Sequence, residues 1–332
     1  ETPPVWMMRQ AGRYHKHYQA LRLKHDFMTL CKNPELAAEV AMGPIQDFDF
    51  DVAILFSDLL FPLEALGLGL SYDPSPTIGK QLTHAVLPDL KPMAEALEGL
   101  QFQKIAMRAT RARLPKDKSL IGFVGGPWTL FTYAVEGAHK GSLAKAKTQT
   151  ALYGQFAEML VPLLKENILL QLDGGAELVM IFDTAAGEVS ADFFRHGLEP
   201  HLTQLATSFP GRLGYYSKGT LPEHLDRLWA EGAFTGFGYD HRWELPQLFK
   251  KVPYGFVQGN FDQALLFADK DNFETLLNNY LKQFQHLSAE QRAGWVCGLG
   301  HGVLPETPEA NVRRFVQRVR EREPSKAQVR LL

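Results

Sequence analysis

Arg9 and Arg13 stand four residues apart in PPVWMMRQAGRYHKHY, separated by Gln-Ala-Gly, with no acidic residue nearby in the sequence. If this stretch is helical, an i, i+4 spacing places both guanidiniums on one face. If it is a loop, Gly12 lets the backbone fold so that they still converge. Like charges repel, so an unpaired pair of this kind anticipates an anion, and the planar arginine fork suits a carboxylate or a phosphate. The alternative is a pair of solvated arginines, or arginines paired with acids from elsewhere.

Asp58 closes the apolar run VAILFSD. A carboxylate there is either an N-cap for the segment that follows or a group aimed into a site. In GGPWTLFTYAVEG (residues 125–137), Pro127 fits the first turn of a helix, whose start could receive an anion, and Tyr133 lies about two turns in. Its hydroxyl is a site group or one satisfied in the core. His301 sits in GLGHGV, where a histidine can change charge near neutral pH, or be incidental to a glycine-rich turn. Gln258 and Asn260 belong to the amide-bearing stretch QGN. Cys297 and His301 are close in sequence, yet no second Cys or His completes a zinc set, and there is no H-E-x-x-H. Neither a G-x-S-x-G elbow nor a Walker sequence is present.

Asp58, Gln258, Asn260 and His301 share a position. Each lies where a short apolar run ends, and seven such runs occur: VAILFSD, LIGFVGG, ELVMIFDT, RLGYYSKG, FTGFGYD, YGFVQGN and GWVCGLGH. Strands apolar on both faces are those of a buried parallel sheet. Longer helix-like segments lie between them, such as residues 155–171 and 276–286, so the chain reads as repeated βαβ units. Seven strands can be counted; LGLGLSYD at residues 66–73 is the candidate for an eighth. No glycine fingerprint follows the first strand, which favours a closed (β/α)8 TIM-type barrel over a doubly wound sheet. In a barrel the active site sits at the C-terminal ends of the strands. Asp58, Thr184, Tyr239, Gln258, Asn260 and His301 are therefore expected to face one mouth.

Composition limits what the mouth can bind. The chain has 332 residues, 45% of them hydrophobic and 22% charged. This fits a single barrel domain over residues 1–332 that needs no disulfide. Cys31 and Cys297 read as reduced, buried thiols of a cytoplasmic protein. A net charge of -2 argues against a polyanion-binding surface, hence against nucleic acid, and makes any anion recognition local. No apolar run is long enough to span a membrane and no signal peptide is visible. The sequence starts at Glu1, so a native N-terminal segment is expected to precede it.

Six motifs in this order, PVWMMRQAGRY, ILFSDLL, GGPWTLFTYAVEG, FDTAAG, QGN and LGHGV, resemble the uroporphyrinogen decarboxylase family from about residue 3 to about residue 320. The resemblance implies a (β/α)8 barrel, a homodimer with facing clefts, and no cofactor or metal. The implied reaction converts the four acetate arms of uroporphyrinogen III to methyls, giving coproporphyrinogen III and four carbon dioxide. It also implies substrate contacts at Arg9, Gln10, Ala11, Gly12, Arg13, Asp58, Tyr133, Thr184 and His301, with catalytic roles among Asp58, Arg9, Arg13, Tyr133 and His301. Arg22 falls where the family carries an arginine near its cleft. The sequence departs from the family at His15-Lys16-His17 after the first motif, at Phe261 and Gln263, and at His241-Arg242. Two other readings of the same barrel are a tetrapyrrole-binding paralogue without activity and a zinc- and corrinoid-linked methyltransferase. The latter needs the His/Cys ligand set that the sequence lacks.

Overall fold

The structure, a computed structural model, describes residues 2–72 and 75–321. Seven parallel strands follow one another round a curled sheet in chain order: β1 (Val52–Ile54), β2 (Ser119–Gly125), β3 (Leu178–Asp183), β4 (Leu213–Ser217), β5 (Gly236–Gly238), β6 (Phe256–Phe261) and β7 (Trp295–Leu299). All seven come from the expected apolar runs. The helices between them, among them Pro34–Phe48, Gln101–Arg113 and Thr150–Asp173, pack against the outside of the sheet.

The eighth stave is not residues 66–73. Leu70–Tyr72 pairs antiparallel with Pro76–Ile78 in a separate two-stranded ribbon. The gap between β7 and β1 is filled instead by the N-terminal segment. On one side, the Cys297 N–H donates to Pro4 O and the Trp6 N–H donates to Cys297 O, at 2.9 and 3.1 Å. On the other, the Asp51 N–H donates to Val5 O at 3.0 Å, and the Asp51 carboxylate accepts from the Val5 N–H at 2.7 Å. A segment this short, behind two prolines, gives no readable strand pattern, yet its hydrogen bonds join both edges.

Side chains alternate between two cores, as strand geometry requires. Trp6, Ile121, Met180, Phe256 and Val296 fill the barrel interior. Val179, Ile181, Tyr215 and Phe237 point outward to the helices. This alternation corrects part of the expected mouth. Tyr239 shares the outward face with Phe237, and its ring packs on Trp243 and Trp229 at centroid distances of 5.3 and 6.5 Å. Gln258 lines the lower barrel interior beside Trp6 and Val52, where its amide donates to Leu299 O. Asn260 is buried and committed to the chain, its amide donating to Asp240 O and Trp243 O. Cys31 and Cys297 are both free and buried.

Candidate active site at the mouth of the barrel

The arginine motif is a run of turns, not a helix, and it emerges directly from the eighth stave. Its sharp bend is at Arg9, whose φ of 59° is left-handed, rather than at Gly12. For a non-glycine residue this conformation carries strain that surrounding contacts must hold in place. Gly12 serves a close approach instead: a Cβ there would lie 3.2 Å from Arg9 O. Gln10 holds the bend. Its side chain is fully buried, donates to Val52 O at 2.8 Å and accepts from the Met7 N–H at 3.3 Å. Its carbonyl accepts from the Tyr14 hydroxyl at 2.7 Å. The polar groups of Gln10 are thus enclosed and engaged within the chain. Ala11 and Gly12 are half-exposed at the surface of the turn.

The two arginines serve different neighbourhoods. The Arg9 chain crosses Gly302 so closely that a Cβ there would meet its Cδ at 2.4 Å. From there its charge acts on Asp58, Tyr133, Tyr216 and His301. Arg13 is exposed and acts on Tyr18, beside Arg22, whose guanidinium is anchored on His25 O at 2.8 Å. Among the described residues, neither Arg9 nor Arg13 has a carboxylate partner at ion-pair distance.

Asp58 is not the N-cap of the helix that follows, since Leu60 holds that position. Oδ1 accepts from the Leu60 N–H at 2.8 Å, which organises the turn into the helix Phe61–Ala65. The same carboxyl feels the Tyr72 hydroxyl and Arg9. Burial raises its pKa above the ordinary carboxylate value, against the pull of the Leu60 N–H, Tyr72 and Arg9. Asp58 is thus a half-buried, partly desolvated carboxyl with a cation on one side.

Pro127 does open a helix, Pro127–Glu136, and Tyr133 on it is half-buried under the influence of Asp58 and Arg9. The start of that helix is not open to an outside anion. Asp183 occupies it, Oδ1 accepting from the Thr129 hydroxyl at 2.6 Å and from the Thr129 N–H at 3.3 Å. The Tyr215 hydroxyl donates to the other oxygen at 3.1 Å, and burial lifts the carboxyl to about 6. The Thr129 hydroxyl also accepts from the Ala185 N–H at 3.0 Å, so Thr184 lies inside a bracket that fixes its backbone. Thr184 itself is half-buried and shares the inward face with Met180 and Phe182.

His301 is half-buried and stacks on Tyr216, with centroids 6.0 Å apart and planes inclined by 9°. Burial and the nearby cations Arg9 and Lys218 lower its pKa to about 3, with Asp240 opposing. The imidazole is therefore neutral near pH 7. Sequence reasoning did not assign Tyr216, Lys218, His139 or Tyr72 to the site. Tyr216 and Lys218 lie on the inward-facing alternation of β4 and its continuation. His139 packs edge-on against Tyr133 with centroids 6.1 Å apart. The departure residue His15 is buried in the shell, with Nε2 2.7 Å from Asp47 and the ring against Phe48.

Among the described residues no group of three or more His, Cys, Asp or Glu is placed to hold a metal ion. The arrangement suits an anionic substrate: two arginines with no carboxylate at ion-pair distance among the described residues, one partly desolvated carboxyl, and a neutral imidazole.

Comparison with known proteins shows the family. The family model described as "Uroporphyrinogen decarboxylase (URO-D)" matches residues 1–322. A protein named uroporphyrinogen decarboxylase from Chlorobium phaeobacteroides is 34% identical over 338 residues, covering 96% of this chain and 93% of that protein. One of the same name from Helicobacter hepaticus is 35% identical over 337 residues, covering 96% of this chain and 95% of that protein. Among solved structures, a methyltransferase from Methanosarcina mazei superposes with a TM-score of 0.77 over 97% of this chain and 94% of that one. At 18% identity that likeness is one of fold.

Proposed function

This chain belongs to the uroporphyrinogen decarboxylase family, and from that premise we propose that its barrel mouth removes the four acetate carboxyls of uroporphyrinogen III, giving coproporphyrinogen III. The activity that goes with membership is decarboxylation in tetrapyrrole biosynthesis. The observation that carries the residue assignment is a half-buried Asp58 whose carboxyl feels Arg9, an arginine with no carboxylate at ion-pair distance among the described residues.

The chemistry needs this pairing. A carboxyl leaves an acetate arm only if the electrons left behind have a sink. Protonating the attached pyrrole carbon makes the ring an iminium-like cation, and loss of carbon dioxide neutralises it, leaving an exocyclic methylene that becomes the methyl when it takes a proton and the ring carbon releases its own. Asp58 accepts from the pyrrole N–H groups, and its hold strengthens as positive charge develops, which is what separates catalysis from binding. Arg9 and Arg13 grip substrate carboxylates, with Tyr133, Thr184 and the exposed backbone of Ala11 and Gly12 as further contacts. A uniform grip lowers KM without raising turnover. Neutral His301 is a poor direct acid at pH 7, and arginine is a weaker one, so a water relays the proton to carbon. We further propose that the molecule works as a homodimer.

The test is to incubate the protein with anaerobically prepared uroporphyrinogen and count the carboxyls left on the product. Loss of four supports the reading. A folded protein that binds the substrate and leaves every carboxyl in place would make it the non-catalytic paralogue.

A further inference from the structure

Tyr216 is fully buried on the inward face of β4, and its hydroxyl has two partners at once. It lies 2.8 Å from Gly300 O and 3.0 Å from His301 Nδ1. A carbonyl oxygen only accepts, so the single hydroxyl proton must point to Gly300 O. The tyrosine oxygen is then left as an acceptor toward His301, and Nδ1 must carry a proton to meet it. The flat stacking of the two rings keeps the imidazole in register with that contact. A third positive charge is disfavoured beside Arg9 and Lys218, so one ring nitrogen stays bare, and it is Nε2. Nε2 takes no hydrogen bond from the described residues and is not among the enclosed polar atoms, so it opens on the cleft.

We propose that Tyr216 is a positioning residue that holds His301 as its Nδ1–H tautomer, so that Nε2 meets the substrate side of the cleft as a hydrogen-bond acceptor. This inverts the role that a histidine beside a polycarboxylate first suggests. Nε2 does not grip a carboxylate, because two sets of lone pairs would face each other. It receives an O–H donor, and the one the proposed reaction requires is the relay water. Nε2 accepts one O–H of that water and fixes its orientation; as the water passes its other proton toward carbon its oxygen takes one from the solvent in the cleft, while Arg9 and Lys218 take the carboxylates. The geometry of the tautomer stands without the decarboxylase reading; the role given to Nε2 rests on it.

The experiment has two arms. In the first, the full chain is labelled with ¹⁵N-histidine, the His301 signals are assigned by comparison with His301→Gln, and the ring nitrogens are read by NMR from about pH 8 to about pH 5. The expected spectrum has a protonated Nδ1 and a pyridine-like Nε2 throughout. In Tyr216→Phe, which keeps the ring but removes the acceptor, the signals move toward the Nε2–H form. An Nε2–H tautomer in the wild type, an imidazolium at pH 6, or identical spectra in the two proteins would overturn the proposal. In the second arm, Tyr216→Phe is expected to lower kcat by about 10-fold, the scale for losing an outer partner of a site residue, with KM little changed. An unchanged kcat in a variant whose tautomer has switched would remove Nε2 from the reaction. If the wild type itself leaves uroporphyrinogen intact, the decarboxylase reading fails in the second arm, while the tautomer is still decided by the first.

Discussion

At the residue scale, the account rests on two charges that the chain leaves uncompensated. Desolvation raises the Asp58 pKa above the ordinary carboxylate value, against the pull of the Leu60 N–H, Tyr72 and Arg9. A carboxyl whose folded pKa lies above its unfolded one costs no stability below the unfolded value, where both states are protonated, and its cost is complete above the folded value. As pH rises past the unfolded value near 4, the ionised group costs stability. Asp58→Asn is therefore expected to raise the melting temperature at pH 7 while cutting turnover by about 10²-fold or more, the scale for a lost charge-stabilising group. Calorimetry and steady-state rates on one preparation check both signs. The wild-type kcat should also fall as pH drops through the raised Asp58 pKa. Arg9→Ala is expected to weaken substrate binding and slow turnover together, whereas Arg13→Ala, farther from Asp58, should act chiefly on KM; equal effects on kcat would remove the distinction between them. The residue types of the site were legible in the sequence because Arg, Asp and His at strand ends are chemically conspicuous. The outward turn of Tyr239 and the Tyr216 contact were not, because they depend on which face of a strand each residue takes. A strict two-residue alternation along FTGFGYD would have sorted Tyr239 from Asp240.

At the element scale, what positions the site is the closure of the barrel by the N-terminal segment. The Pro4–Trp6 backbone bonds to β7 and β1, and Gln10 pins the turn that follows. Gln10→Ala removes a buried donor and acceptor pair and leaves Val52 O and the Met7 N–H unmatched, which is expected to destabilise the fold by roughly 1–3 kcal/mol. Denaturant unfolding measures this. Because Gln10 also supports the strained Arg9 turn, KM should rise with it; a stable variant with unchanged KM would detach the turn from the site. The seven strands were legible because each is apolar enough to read without its neighbours. The eighth was not, because its identity lies in hydrogen bonds to residues almost fifty and almost three hundred positions away rather than in its own pattern. The ribbon Leu70–Tyr72 has a strand-like sequence, but it pairs antiparallel with Pro76–Ile78 outside the barrel sheet, and it brings Tyr72 to Asp58 instead of a stave. The helix start at Pro127 was read correctly as a helix and misread as an anion site, because the anion that fills it, Asp183, comes from a strand far along the chain.

At the scale of the whole molecule, a net charge of -2 coexists with two arginines, Arg9 and Arg13, that have no carboxylate at ion-pair distance among the described residues, so attraction for the substrate is local and short-ranged. Raising ionic strength from about 0.05 M to about 0.5 M shrinks the screening length severalfold and is expected to raise KM while leaving kcat nearly constant. A kcat that falls in step would mean that salt reaches the half-buried Asp58. No described helix is long and apolar enough to cross a membrane. The barrel supplies the frame, and the chemistry is concentrated where the arginine turn folds over the end of β1. The most direct measurement is a single-turnover comparison of wild type and Asp58→Asn with anaerobic uroporphyrinogen, binding and carboxyl loss being followed separately. The account predicts that both proteins bind and only the wild type proceeds to the four-carboxyl product at an appreciable rate. An Asp58→Asn protein that is folded and decarboxylates at close to the wild-type rate would contradict it.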